Sequence, residues 1–434
     1  MSRYKRYERY KDSGVKWIGE IPEHWEIKKI KYISNITMGQ SPKSEECSLD
    51  ETGLPFLQGN AEFTSLHPIP KIYCNTANKF SKVNDILLSV RAPVGAMNIS
   101  DRVYGIGRGL CAITANKVQV RYLWYSMNVS LEELFIKSKG STFEAVTVTD
   151  VNNLLSILPP KNEQIAIANF LDQKTAEIDG LIADKEKLIE LLQEKRQAII
   201  TDAVTKGLNP NVKMKDSGIE WIGEIPEHWR IVRLKFLKTS PFQYGANEPA
   251  EMDDPQLPRY IRITDINEKG DLREDTFKSL SWESAQPYLL KDGDILFARS
   301  GATVGKIFMY RGELGPACYA GYLIRFKPDK SKVNSYYIYY YTLSKVYEEW
   351  IKQNIIQATI QNVSAEKYGN LQVPLPPLEE QKGIVKYLND KIEEIDILVE
   401  SIYVQIQKLK EYRQSLISEA VTGKIDVRDY VVSN

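Results

Sequence analysis

KDSGVKWIGEIPEHWEIKKIK, residues 11–31, returns 204 residues later as KDSGIEWIGEIPEHWRIVRLK, residues 215–235, with 15 of 21 positions identical. A 434-residue chain that spells the same aromatic and proline-bearing phrase near its start and near its middle is built from two copies of one module. A second pair of phrases agrees. LPPKNEQIAIANFLDQKTAEID starts at Leu158 and LPPLEEQKGIVKYLNDKIEEID at Leu375, an offset of 217, so thirteen residues were gained or lost between the two anchors. The order is entry phrase, variable body, helical tail, and then all three again.

Inside the bodies only fragments match. DILLSVRAPVG (85–95) resembles DILFARSGATVG (294–305), and TFEAVTVTDVNNL (142–154) aligns with TIQNVSAEKYGNL (359–371). A common frame with different filling suits a scaffold carrying two specificities. It equally suits simple divergence of a duplicated structural domain, and the pattern alone does not separate the two.

The tails read as long helices. Pro159/Pro160 and Pro376/Pro377 hold the chain extended and suit a first helical turn. Stepping by four and three from Leu388 gives Leu388, Ile392, Ile395, Val399, Ile402, Ile406, Leu409, Arg413, Leu416 and Ala420, a heptad seam with nine of ten positions apolar. The first tail gives Leu171, Thr175, Ile178, Ile182, Lys185, Ile189, Leu192, Arg196, Ile199 and Ala203, with seven of ten apolar. Arg196 and Arg413 hold the same place in the repeat. Gly207 and Gly423 follow as helix stops. A helix from Leu388 to Ala420 is about 48 Å long at ~1.5 Å per residue. Its stripe is expected to pack on the other tail, antiparallel, rather than only on its own body. The expected result is a rod of about 50 Å, or roughly 14 base pairs at ~3.4 Å each, with a body at each end.

Composition excludes several classes. Lysine plus arginine balance aspartate plus glutamate at 57 each, so a nucleic-acid role requires local charge or a partner that supplies it. No apolar run reaches membrane-span length, and the tyrosine-rich, basic N-terminus lacks a secretory apolar core. The four cysteines (Cys47, Cys74, Cys111, Cys318) form no CxxC pair, which fits a reducing compartment; a cytoplasmic location is expected. GATVGK (301–306) lacks P-loop spacing, and there is neither a dinucleotide fingerprint nor an amino-methyltransferase Asp-Pro-Pro-Tyr element. Of the three histidines, His24 and His228 lie in the entry phrases and read as structural. A Cys74–His67 pair remains open without support. The chain reads as a binding protein.

The entry phrases at Trp17 and Trp221, GDILFARSGATVGK from Gly293, the LPPLEEQ-type helix starts and the tails ending in AVT and glycine resemble, in that order and in duplicate, the specificity subunit of a type I restriction–modification system. The resemblance runs end to end. It implies an α+β fold (mixed α/β) with internal pseudo-two-fold duplication, in which two target-recognition domains are joined by two long antiparallel helices forming a coiled coil. The expected segments are 1–157, first recognition domain; 158–210, central helix; 211–374, second recognition domain; and 375–434, C-terminal helix and tail. It further implies double-stranded DNA with a bipartite site, two copies of an adenine-N6 methyltransferase subunit docked on the helices, and a motor-nuclease subunit. No cofactor is expected on this chain, S-adenosylmethionine, ATP and Mg belonging to the partners, and no catalysis by the chain itself. A coiled-coil adaptor without DNA contact is the rival reading; an overlooked enzyme site is a second.

Base reading draws on Arg or Lys for guanine, Asn or Gln for adenine, and apolar groups for the thymine methyl. In the first body the loop after the entry phrase offers Gln40, Ser41 and Lys43, and the later turns offer Arg91 and Arg108. In the second, the corresponding segment offers Gln243, Tyr244 and Asn247, with Arg299, Ser300 and Tyr319 beyond. Each could equally be a surface turn residue or a strand-end ion pair.

Overall fold

The computed structural model describes residues 4–42, 47–51, 53–138, 145–267, 270–301, 304–356 and 362–430, without the side chains of 132–138 and 356. In the first half the strands are β1 (Tyr10–Asp12), β2 (Glu20–Pro22), β3 (Glu26–Lys29), β4 (Ser34–Met38), β5 (Cys47–Ser48), β6 (Leu54–Leu57), β7 (Ile72–Cys74), β8 (Ile86–Ser89), β9 (Met97–Ile99), β10 (Gly105–Ile106), β11 (Leu110–Ala115) and β12 (Leu155–Leu158). Its helices are α1 (Val120–Ser138), α2 (Val148–Asn153) and α3 (Lys161–Lys206). The second half has β13 (Met214–Asp216), β14 (Glu224–Pro226), β15 (Arg230–Arg233), β16 (Gln243–Tyr244), β17 (Arg259–Ile261), β18 (Ile295–Ala298), β19 (Ile307–Met309), β20 (Ala317–Tyr319), β21 (Leu323–Phe326) and β22 (Gln372–Leu375). Its helices are α4 (Trp282–Ala285), α5 (Ser335–Thr342), α6 (Lys345–Ile356), α7 (Ala365–Gly369) and α8 (Leu378–Val421).

Two compact units result, residues 1–185 with 404–434, and residues 186–403. Each helix begins in one unit and ends in the other. The reason is the apolar stripe: at each end it has a body to bury against.

Each unit repeats one sheet plan. In the first, the order β4-β11-β8-β9 is antiparallel and a separate parallel pair joins β6 to β10. In the second, β16-β21-β18-β19 and the parallel pair β17–β20 take the same places. Both faces of the larger sheet are covered, so its central strands β8 and β18 are buried throughout and split by period two. Ile86 and Leu88 enter the core shared with α1 and α2, while Leu87 enters that of the smaller sheet. Ile295 and Phe297 likewise part from Leu296 and Ala298.

The entry phrase fastens each body to the helices. Trp25 is wholly buried, and its indole Nε1 donates to Glu163 Oε2 (2.9 Å). His24 Nε2 lies 2.7 Å from Glu163 Oε1, and the Tyr7 hydroxyl donates to Oε2 (3.1 Å). In the second unit, Trp229 Nε1 donates to Glu380 Oε1 (3.1 Å) and His228 Nε2 lies 2.8 Å from Oε2. Burial, with the Glu163 carboxylate beside it, holds the Tyr7 hydroxyl well above its ordinary pKa. The glutamine after each glutamate has a second duty. Gln164 bonds the Pro159 carbonyl and receives the Gln119 N–H just ahead of α1 (both 2.8 Å). Gln381 bonds the Pro376 carbonyl (2.9 Å) and receives the Asn334 N–H just ahead of α5 (2.8 Å). Thus Trp25 and Trp229 staple each body, Trp17 is 39% exposed, and the two histidines are structural, as the sequence indicated for them.

Within the first unit, Arg413 Nε bonds Asp179 Oδ1 (2.8 Å) and Lys185 Nζ bonds Gln405 Oε1 (2.6 Å), so the two helix segments run in opposite directions there. Within the second, Arg196 faces Asp396 at 3.6 Å. The seam arginines are thus reciprocal: each reaches the aspartate at the equivalent place on the other helix. These exposed pairs add little stability, about 0–1 kcal/mol; they suit fixing a register. Leu171, Ile178, Ile189, Leu388, Ile392, Ile395, Ile402, Ile406 and Leu416 are buried. Ile182, Leu192, Ile199, Val399 and Leu409 are half-buried. Off the seam, Leu181, Leu188, Leu191, Ile397 and Leu398 are exposed.

Candidate nucleic-acid interface

Loops can read a ligand only where the sheet stops hiding its side chains. In the first unit that place is the end of β4, β8 and β11. Gly39 follows β4, and a Cβ there would stand 2.1 Å from the Gly107 carbonyl oxygen. Only glycine allows that approach. Once made, it lets Gln40 N–H bond the Ile106 carbonyl (2.9 Å) and Ser41 Oγ accept from Arg108 N–H (3.2 Å). Leu110 pairs with Ser89, and Val90 N–H bonds the Gly109 carbonyl, so the same register carries Arg91 opposite Arg108. Gln40, Arg91 and Arg108 are exposed, Ser41 half-exposed. Gln58 joins them, donating from Nε2 to Ser41 Oγ (2.8 Å). Four of the residues named from sequence therefore share one surface of the first unit. Lys43 lies outside the described residues.

The second unit builds the same place from different residues. Gly245 stands where Gly39 does, its Cβ position 2.2 Å from the Tyr319 carbonyl oxygen, and Ala246 N–H bonds that oxygen (2.9 Å). Asn247 then matches Ser41 and is exposed. The two arginines are not equivalent. Val363 N–H bonds the Arg299 carbonyl as Val146 N–H bonds that of Val90, and Ser300 bridges Asn362 as Arg91 bridges Ala145. Arg91 therefore corresponds to Ser300, and Arg299 to the buried Val90. A slip of one residue changes which face a side chain takes. The Arg299 guanidinium lies 4.8 Å from the centre of the Tyr244 ring, and the Tyr244 hydroxyl accepts the Ala365 N–H (3.2 Å). Nε of Arg299 meets no acceptor among the described residues.

Two expectations for this surface need correction. Tyr319 is fully buried at the end of β20, with its hydroxyl bonded to the Gln243 carbonyl (3.3 Å); it has no surface to offer a base. Gln243 lies in β16, not in a loop. Its Nε2 donates to the Pro287 carbonyl (3.1 Å) and its Oε1 accepts from Arg325 (2.5 Å), so both ends of the amide are engaged. The sequence missed Tyr322, 66% exposed, whose carbonyl accepts the Arg299 N–H. It lines an open cleft of about 520 Å³ with Asn247, Glu248, Arg262 and Thr264. The available signal was its place just after Gly321, at the mouth of a strand.

Groups suited to other chemistry are committed or hidden. Burial pushes the Cys111 and Cys318 thiols up to about 12, far from a thiolate at neutral pH. His67 Nδ1 lies 2.8 Å from the Ile99 carbonyl oxygen. Among the described residues, no three His, Cys, Asp or Glu side chains gather as a metal site, and no helix is long and apolar enough to cross a membrane.

The family described as type I restriction modification DNA specificity domain matches residues 22–191 and 247–408. The MjaX specificity subunit of a type I restriction enzyme, from Methanocaldococcus jannaschii, is 39% identical over 193 residues, covering 43% of this chain and 44% of that one. The MjaVIII specificity subunit of the same organism is 26% identical over 94% of this chain and 95% of its own length. A solved chain from work on assembly and conformational transition of the type I R-M system superimposes with a TM-score of 0.72 at 18% identity, over 92% of this chain and 98% of its own.

Proposed function

The chain belongs to the type I restriction modification DNA specificity family, and from that membership we propose that it is the sequence-reading subunit of a type I restriction–modification complex. Each unit reads one half of a bipartite site in double-stranded DNA. The observation that carries this is one backbone frame built twice, with Gln40, Ser41, Arg91 and Arg108 at its open end in one unit and Asn247, Ser300 and Tyr322 in the other. A reader of two half-sites needs those ends to carry different side chains within reach of solvent, as these do. The alternative of a protein adaptor has no comparable support.

The finer features follow from the same reading. The long helices form an antiparallel coiled coil that sets the distance between the half-sites. Two copies of an adenine methyltransferase subunit and a motor-nuclease subunit assemble on the chain in the cytoplasm, bringing S-adenosylmethionine, ATP and Mg. The chain is non-catalytic. Its neutral net charge leaves much of the DNA backbone to those partners.

Sequencing the methylated bases of cells with and without this chain tests the proposal. One split adenine-methylation motif should vanish on deletion, and the purified chain alone should methylate nothing. An unchanged methylome, or methylation by the chain alone, would sink the assignment. Within the second unit, Arg299→Ala should relax the second half-site and leave the first intact, through loss of the guanidinium and of its stack on Tyr244. A uniform loss of affinity across sequences would instead mark a phosphate contact.

A further inference from the structure

Cys111 and Cys318 are deeply buried, but the other two cysteines meet each other. Cys47 and Cys74 stand 27 positions apart in the chain, and only strand register brings them together. The small sheet of the first unit has the order β10-β6-β7-β5, so β5 is an edge strand. It runs antiparallel to β7 with Cys47 directly opposite Cys74. Their side chains share a face as well, for both pack in one apolar cluster with Phe56, Ile72 and Ala77. Both carry thiols. Cys74 is 2% exposed and Cys47 half-buried, so a reagent in solution reaches Cys47 first.

Directly opposed residues of an antiparallel pair have Cα atoms about 4.5–5.5 Å apart, inside the ~4.4–6.8 Å range of a disulfide. Their Cβ atoms stand about 4.5–5.5 Å apart, against ~3.8 Å in a disulfide, so bonding draws β5 inward by about 1 Å. An edge strand two residues long, held on one side only, is able to make that shift. The shift matters because of what the sheet carries. Ser41 precedes Cys47 by six positions, at most about 21 Å of chain. On its other side β7 pairs with β6, and Gln58 follows β6 and donates to Ser41 Oγ. β10 leads to Arg108, whose N–H donates to the same oxygen. Functional side chains must be held within about 0.5 Å of their working geometry. The second unit has no such pair, since Cys318 is its one cysteine.

We propose that Cys47 and Cys74 form a reversible disulfide on exposure to peroxide and, resting on the function proposed above, that this bond switches off reading by the first unit alone. The Cys47 sulfur attacks hydrogen peroxide. The O–O bond breaks, leaving a sulfenic acid on Cys47 and releasing one water. The Cys74 sulfur then attacks the Cys47 sulfur. The S–O bond breaks, and the hydroxyl leaves with the Cys74 proton as a second water. The two thiols lose two electrons to the peroxide, and a dithiol reductant reverses the change.

Treating the full chain, in complex with its methyltransferase subunit, with hydrogen peroxide tests both parts. Peptide mass spectrometry without reductant should find the Cys47 and Cys74 peptides joined, Cys111 and Cys318 still as thiols, and the link gone after dithiothreitol. Affinity for the split DNA site should fall about tenfold, the scale of one lost base contact, and recover on reduction. DNA with a scrambled first half-site should show no such fall. Neither should the Cys47→Ser chain, which should bind as the reduced wild type does. Peptides that stay separate, or a Cys47 that stops at the sulfinic acid, would overturn the disulfide. A joined pair with unchanged affinity, or an equal fall in Cys47→Ser, would overturn the switch. A reduced complex with no DNA sequence preference would sink the functional reading and the switch with it, while the peptides would still decide the disulfide.

Discussion

Deleting residues 182–188 of α3 together with 403–409 of α8 should shorten the gap in the recognised DNA site by about three base pairs and leave both half-sites unchanged. The two stretches face each other if the pairings Arg413–Asp179, Lys185–Gln405 and Arg196–Asp396 extend along the helices. Seven residues are one heptad, so the apolar seam re-forms in register. They span about 10 Å at ~1.5 Å per residue, or about 3 base pairs at ~3.4 Å. Each reading surface lies in a body that the deletion does not touch. The methylated motif of the deleted variant gives the answer directly. A changed half-site with an unchanged gap would refute the helices as the ruler. Deleting five residues instead should do worse, because at ~100° per residue the stripe is then turned roughly 140° from its partner.

The second large effect is on stability. Trp25→Ala and Trp229→Ala should each destabilise their own unit by about 3–5 kcal/mol, the usual cost of emptying a fully buried aromatic site. The indole does more than fill space. Trp25 packs against Gly423, where a Cβ would stand 3.0 Å from Cζ3, and Trp229 against Gly207, at 3.1 Å from Cζ2. Both glycines have φ near +70°, as a helix C-terminus requires. Each tryptophan thus covers the end of one long helix while its Nε1 holds the glutamate at the start of the other. Glu163→Gln should cost less, about 1–3 kcal/mol, since an amide cannot accept from all three of its donors. Glu380→Gln should cost less again, because that side chain is 32% exposed and has two donors. Urea unfolding gives the free energies, and amide exchange shows which unit opens. A loss below 1 kcal/mol for either tryptophan would contradict the staple.

The reciprocity of Arg196 and Arg413 shows how far the sequence reached. Their equal place in the repeat was visible, as two polar residues in an apolar seam. Their partners, Asp179 and Asp396, were hidden among many carboxylates, because pairing across two helices depends on direction and stagger. Aligned from Asp85 and Asp294, the two strand phrases set Arg299 against Val90, and the hydrogen bonds agree. Gln243 and Tyr319 adjoin the proposed reading residues in sequence, but the fold engages one with a carbonyl and an arginine and buries the other. Tyr322 has one local sign, the preceding Gly321, which does not tell whether the strand that follows opens in the core or in solvent.

The sequence by itself determined the duplication, the two long helices with their seam, and the structural part played by the entry phrases. These follow from identity, period and punctuation, which are properties of neighbours along the chain. Only the tertiary structure decided that each unit is closed by the end of a helix that began in the other, and which side chains stand at the open end of each sheet. Exposure at a strand end is set by one-residue register and by the close approach of Gly39 and Gly245 to a carbonyl far along the chain, and no local pattern encodes either.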